Sequence, residues 1–160
     1  MSYQDFLATK AIVVRSSGRE VGDSDIHPSL FGFQRDLVRW SLRKGRAALF
    51  ADTGLGKTRM QVEWARLTGE RALILAPLAV VQQTVAEGAE IGVPIMYARQ
   101  QADAAPTGIT VTNYEMLHAF DPSTFGAVVL DESSILKNFE GKVRTGLIRA
   151  FSQTPYRLAC

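Results

Sequence analysis

Ala47-Ala48-Leu49-Phe50-Ala51-Asp52-Thr53-Gly54-Leu55-Gly56-Lys57-Thr58 is the stretch that decides the fold. A buried-strand pattern over 47–50 runs into a turn with two glycines, and a helical pattern opens at Lys57, reaches Leu67 and closes at Gly69. Strand, glycine loop, helix is the setting that a phosphate-binding loop requires. Gly54 and Gly56 let the backbone turn tightly and aim N–H groups at phosphate oxygens. The helix start adds its positive dipole end. Lys57 is placed to neutralise the β- and γ-phosphates, and the Thr58 hydroxyl to ligate magnesium. Such a pattern arises by chance in roughly one chain of this length in a hundred.

Further strands are expected at Ala72-Leu73-Ile74-Leu75, Ile95-Met96-Tyr97, Ile109-Thr110-Val111, Ala127-Val128-Val129-Leu130 and Tyr156-Arg157-Leu158-Ala159. Helices are expected from Phe33 to Gly45, Leu78 to Glu90, Tyr114 to Phe120 and Gly141 to Phe151. The strands are continuous apolar runs rather than alternating ones, which marks a parallel sheet covered on both faces, an α/β fold. The apolar run before Asp131-Glu132 ends at the same sheet edge as the loop, because ligands of open parallel sheets bind at the carboxyl ends of their strands. Asp131 is expected to hold magnesium, and Glu132 to orient and deprotonate the attacking water. Residues 1–29, with a short strand expected at Ala11-Ile12-Val13-Val14, read as an accessory segment, and 30–160 as the nucleotide-binding domain.

The bulk properties permit this reading. The 160 residues are 46% hydrophobic and 21% charged, with a formal net charge of +2, which is ordinary globular composition for one domain. One cysteine, Cys160, and two separated histidines permit neither an intrachain disulfide nor a Cys/His metal cluster. This fits a cytoplasmic protein. The first residues lack a signal-peptide pattern, and no apolar run approaches a membrane span. Trp40 and Trp64 are expected in the core, and Arg35, Arg39, Arg43, Lys44 and Arg46 on a solvated helix face.

With these residues in hand, the chain resembles superfamily 2 helicases and translocases, especially the SNF2-like group. Ala51-Asp52-Thr53-Gly54-Leu55-Gly56-Lys57-Thr58 is similar to the superfamily's phosphate loop. Leu30-Phe31-Gly32-Phe33-Gln34 resembles the upstream motif whose glutamine reads adenine. Pro77-Leu78-Ala79-Val80-Val81-Gln82-Gln83 resembles motif Ia and Thr112-Asn113-Tyr114-Glu115 motif Ib. Asp131-Glu132-Ser133-Ser134-Ile135-Leu136-Lys137-Asn138 resembles motif II with a Leu-Lys-Asn extension. The resemblance covers about residues 30–160, in the family's motif order. It departs in the loop, one residue shorter than the usual SNF2-like form, and at Ser133-Ser134, where relatives carry Ala-His or Ala-Asp.

The resemblance implies a RecA-like ATP-binding domain with ATP and Mg2+ as cofactors. It assigns nucleotide contacts to Gln34, Thr53, Gly54, Leu55, Gly56, Lys57 and Thr58, magnesium to Thr58 and Asp131, and catalysis to Lys57 and Glu132. Nucleic acid, DNA ahead of RNA, would meet Pro77, Leu78, Thr112, Asn113 and Tyr114, and a second RecA-like domain would complete the motor. Because the sequence stops where motif III would begin, these residues read as an N-terminal fragment that binds nucleic acid weakly and hardly hydrolyses ATP. The alternatives are another P-loop phosphotransferase, or a non-catalytic nucleic-acid-binding module of the same fold.

Overall fold

The structure, a computed structural model, describes residues 15–134 and 141–160. The expected strand at Ala11–Val14 and the stretch Ile135-Leu136-Lys137-Asn138 lie outside them. The strands are β1 (Arg46–Ala48), β2 (Ala72–Ala76), β3 (Ile95–Tyr97), β4 (Ile109–Asn113), β5 (Ala127–Leu130) and β6 (Tyr156–Ala159). They form one sheet in the order β1-β6-β5-β2-β4-β3, with every pairing parallel. The helices are α1 (Gly32–Lys44), α2 (Lys57–Thr68), α3 (Leu78–Glu90) and α4 (Gly141–Ala150).

Successive side chains of a strand point to opposite faces, and β2 shows what that requires of a covered sheet. All five of its residues are buried. Ala72, Ile74 and Ala76 pack in a core with Val38 and Leu42 of α1, Met60 and Trp64 of α2 and Val81 of α3. Leu73 and Leu75 pack on the other face with Phe120, Phe125, Leu147 and Phe151. A strand solvated on one side would need polar residues at alternate positions; this one has none.

The structure differs from expectation at the ends and edges. The first strand is Arg46–Ala48 rather than Ala47–Phe50. Leu49 still donates its N–H to the Ala159 carbonyl at 2.8 Å, but Phe50 is 87% exposed. β1 is an edge strand, so only β6 covers its flank, and the chain must already be turning toward the loop. Trp40, expected in the core, is 39% exposed, whereas Trp64 is fully buried. The inward face of α1 is Gln34, Val38, Ser41 and Leu42, because the helix rests on α2 and on that same edge strand. Residues Tyr114–Ala119 form a 3-10 helix, the tighter geometry usual for such short connectors.

The described part of the segment before residue 30 is built into the core. Ile26 and Leu30 are buried there. The N–H groups of Ser17, Gly18 and Arg19 donate to the Lys44, Arg43 and Leu42 carbonyls, satisfying carbonyls that a helix end leaves without intrahelical partners. Arg35 donates to the Asp23 and Ile26 carbonyls, and Arg39 pairs with Asp23. These arginines of the basic stretch therefore tie α1 to the preceding segment. A fully buried Glu63 on α2 accepts from the His27 N–H at 2.7 Å and from Arg66 at 2.7 and 2.8 Å. The bond to Glu63 raises the Arg66 guanidinium above its ordinary pKa. Glu63→Ala should cost about 2–3 kcal/mol, below the full penalty for breaking a buried pair because Arg66 can reach water. Urea unfolding followed by tryptophan fluorescence measures it; a loss below about 0.5 kcal/mol would show the clamp to be dispensable.

Candidate functional site

Because all strands run the same way, the segments that leave their carboxyl ends collect on one edge of the sheet. There lie the loop after β1, Pro77-Leu78 after β2, the 3-10 segment after β4 and Asp131-Glu132 after β5. The loop turns as its glycines allow. Gly54 has φ +83°, and Gly56, the N-cap of α2, has φ +73°. A side chain at Gly56 would be strained in that conformation, and its Cβ would meet Gln34 Nε2 at 2.5 Å. Lys57 opens α2, where the leading N–H groups lack intrahelical acceptors and favour an anion.

Gln34 is tied to this loop. It is 4% exposed; its Oε1 accepts from the Phe31 N–H and its Nε2 donates to the Leu55 carbonyl, both at 2.9 Å. The amide is thus engaged on both sides by main chain, and the base-reading role implied by the resemblance would require at least one of these bonds to exchange.

Across from the loop, β5 delivers its carboxylates. Asp131 is 7% exposed, and its N–H donates to the Leu75 carbonyl at 2.8 Å. Gln61 Nε2, from α2, donates to its Oδ1 at 2.6 Å, and the Tyr114 hydroxyl donates to its main-chain carbonyl at 2.7 Å. Glu132 is exposed and has φ +51°, the one non-glycine residue at positive φ among those described. That conformation costs on the order of 1 kcal/mol and is held only where the surroundings impose it. They do so here through Asp131 on one side and, on the other, the Ser133 N–H donating to the Cys160 carbonyl at 2.6 Å. A cleft of about 470 Å³ results, lined by Phe50, Asp52 and Lys57 from the loop and by Glu132, Ser133 and Ser134 from the segment after β5. An ammonium and a carboxylate lining the same cleft suit a polyphosphate and an attacking water. The hydroxyl of Thr58 and the carboxylate of Asp131 are the hard oxygen donors that magnesium prefers.

The residues expected to meet nucleic acid are placed unequally. Leu78 is 62% exposed at the start of α3, beside Pro77. Thr112 is fully buried and Asn113 nearly so. The Tyr114 hydroxyl is bonded to Asp131, and burial pushes the phenol's pKa up. Of the residues expected to meet nucleic acid, Thr112 therefore has a buried side chain and Tyr114 a hydroxyl already bonded within the protein. Thr112 lies in β4, a strand buried along its whole length, whereas Tyr114 opens the 3-10 segment and turns its hydroxyl to the Asp131 carbonyl. Sequence reading missed Gln61 and the position of Cys160, a thiol that burial raises to about 11 and that lies beside Gln61 and Asp131. Gln61 could have been found: it lies three residues after Thr58 on α2, a polar residue on a buried helix face.

No protein-family model matches the chain, and no curated protein does. Solved structures do match. The UvsW helicase from bacteriophage T4 aligns over 99% of this chain and 59% of its own, with 18% identity and a TM-score of 0.66. A second T4 UvsW structure aligns over 99% and 34%, at 17% and 0.67. A hypothetical ATP-dependent RNA helicase from Sulfolobus tokodaii aligns over 82% and 45%, at 17% and 0.60. The chain therefore has the fold found in these helicases and spans only part of their length. Among the described residues no helix is long and apolar enough to cross a membrane.

Proposed function

We propose that this chain is the ATP-binding RecA-like domain of a nucleic-acid-dependent helicase or translocase of the SNF2-like kind. The observation that carries the reading is the cleft lined both by Lys57, at the head of α2, and by Glu132, held at positive φ beyond β5. Main-chain N–H groups of Thr53, Gly54, Leu55 and Gly56, with Lys57, bind the phosphates. Thr58 and Asp131 hold magnesium, which when bound offsets charge on the β- and γ-phosphates. Glu132 orients the attacking water and accepts its proton.

Nucleic acid, DNA in this reading, lies along the same edge. It meets Pro77, Leu78 and the main chain near Thr112, Asn113 and Tyr114, chiefly through phosphates. Such binding is weak and salt-sensitive. A second RecA-like domain supplies the remaining groups.

Titration calorimetry with Mg-ATP and Mg-GTP tests the nucleotide site. Gln34 serves it by shaping the loop through Leu55, so Gln34→Ala should weaken both nucleotides equally, each by about fivefold, the worth of one hydrogen bond. Selective loss of ATP affinity would instead assign Gln34 to the adenine edge. No measurable Mg-ATP binding by the unaltered chain would overturn the whole reading.

A further inference from the structure

We infer that Gln61 is a positioning residue for the metal-holding carboxylate, setting the magnesium affinity of the site without touching nucleotide. The inference rests on the reading of Asp131 as a magnesium-side group.

Gln61 has no access to solvent. Its Nε2 donates to Asp131 Oδ1 at 2.6 Å, a bond to a residue 70 positions away on β5. Its Oε1 is buried with no hydrogen-bond partner. Burying an unpaired amide oxygen is costly, and an apolar side chain of similar size would pack there without that cost. The bond to Asp131 is the compensating interaction, since a hydrogen bond to an ionised acceptor is stronger than one between neutral groups.

The choice of an amide has a chemical consequence. A lysine or arginine at this position would orient the carboxylate but also compete with the cation for its charge. A neutral N–H orients it and leaves the negative charge intact. A carboxylate has a second oxygen for the metal, so occupation of Oδ1 does not block ligation. Gln61 also shares α2 with Thr58, one turn earlier. One rigid helix thus carries one proposed metal ligand and fixes the direction of the other. The Tyr114 hydroxyl holds the same residue by its carbonyl, so Asp131 is gripped at side chain and main chain by two different elements. Outer partners of this kind characteristically change metal affinity by about 10- to 100-fold when removed.

The test titrates Mg2+ against binding of a fluorescent ATP analogue, without turnover. Gln61→Met should raise the Mg2+ concentration for half-maximal tight binding by about tenfold. Its affinity for the analogue in excess EDTA should stay within about twofold of the unaltered chain. Gln61→Asn, one methylene too short to reach Oδ1, should do the same and covers the case in which Gln61→Met does not fold. Thermal unfolding without ligand identifies the folded variants. An unchanged Mg2+ dependence in a folded variant, beside a raised one in Asp131→Asn, overturns the role of Gln61. An unchanged dependence in Asp131→Asn overturns the site assignment on which it stands. Equal losses with and without Mg2+ in the Gln61 variants also overturn the role of Gln61, because they mark a general packing defect.

Discussion

Lys57→Ala should weaken Mg-ATP binding by about two orders of magnitude. The ammonium stands at the head of α2, in the wall of the cleft, where the loop and the helix dipole already favour an anion. A hydrogen bond to a charged partner is worth about 1.5–3 kcal/mol net, and each 1.4 kcal/mol is tenfold in affinity. The upper half of that range applies, because a triphosphate brings several negative charges to a site where the lysine is the cation nearest the loop. The change removes no core contact, so thermal unfolding without nucleotide should shift by less than about 2 °C. Calorimetric affinity within threefold of the unaltered chain would remove Lys57 from the site.

The second large effect is on turnover. These 160 residues should hydrolyse ATP at close to the uncatalysed rate, and added DNA should not raise it. Phosphoryl transfer is catalysed mainly by stabilising charge that develops on the phosphoryl oxygens. In the proposed site Lys57, the loop N–H groups and a magnesium held by Thr58 and Asp131 would supply part of that stabilisation, and Glu132 would position the water. Among the described residues no arginine lines the cleft, and an arginine finger is worth about 10³–10⁵ in rate. Water entering the open cleft weakens each remaining interaction further. Glu132→Gln should leave Mg-ATP affinity within about threefold, since a neutral isostere removes the base and not the phosphate contacts. Phosphate-release assays with and without single-stranded and duplex DNA measure the rate. Brisk, DNA-stimulated turnover that vanishes in Glu132→Gln would show that the chain carries its own charge-stabilising group. The location of Glu132 would stand, and the account of what limits the rate would not.

Much of the fold was legible because its signals are local. The strands at 95–97, 127–130 and 156–159 and the helix at 78–90 match their apolar runs and turn residues. Gly54 and Gly56 marked a tight turn, which the loop makes with both glycines at positive φ. The α/β class followed from continuous apolar strands, since only a sheet covered on both faces can bury Leu73 and Ile74 at once. The order of the site segments was also local information, because parallel strands gather their carboxyl ends whatever the pairing. What no local pattern holds is which strand lies at the edge and which side chains meet across the sheet. The exposure of Phe50 and Trp40 follows from the position of β1 at the margin. The attachment of Gln34 to Leu55, of Gln61 to Asp131 and of Tyr114 to the Asp131 carbonyl joins residues 21, 70 and 17 positions apart. Such contacts depend on how helices seat on the sheet, a property of the packed whole. The sequence by itself determined the buried strands, the glycine loop and the Asp131-Glu132 pair that follows a strand; the tertiary structure alone decided that an amide would hold the Asp131 carboxylate and a phenol its main-chain carbonyl.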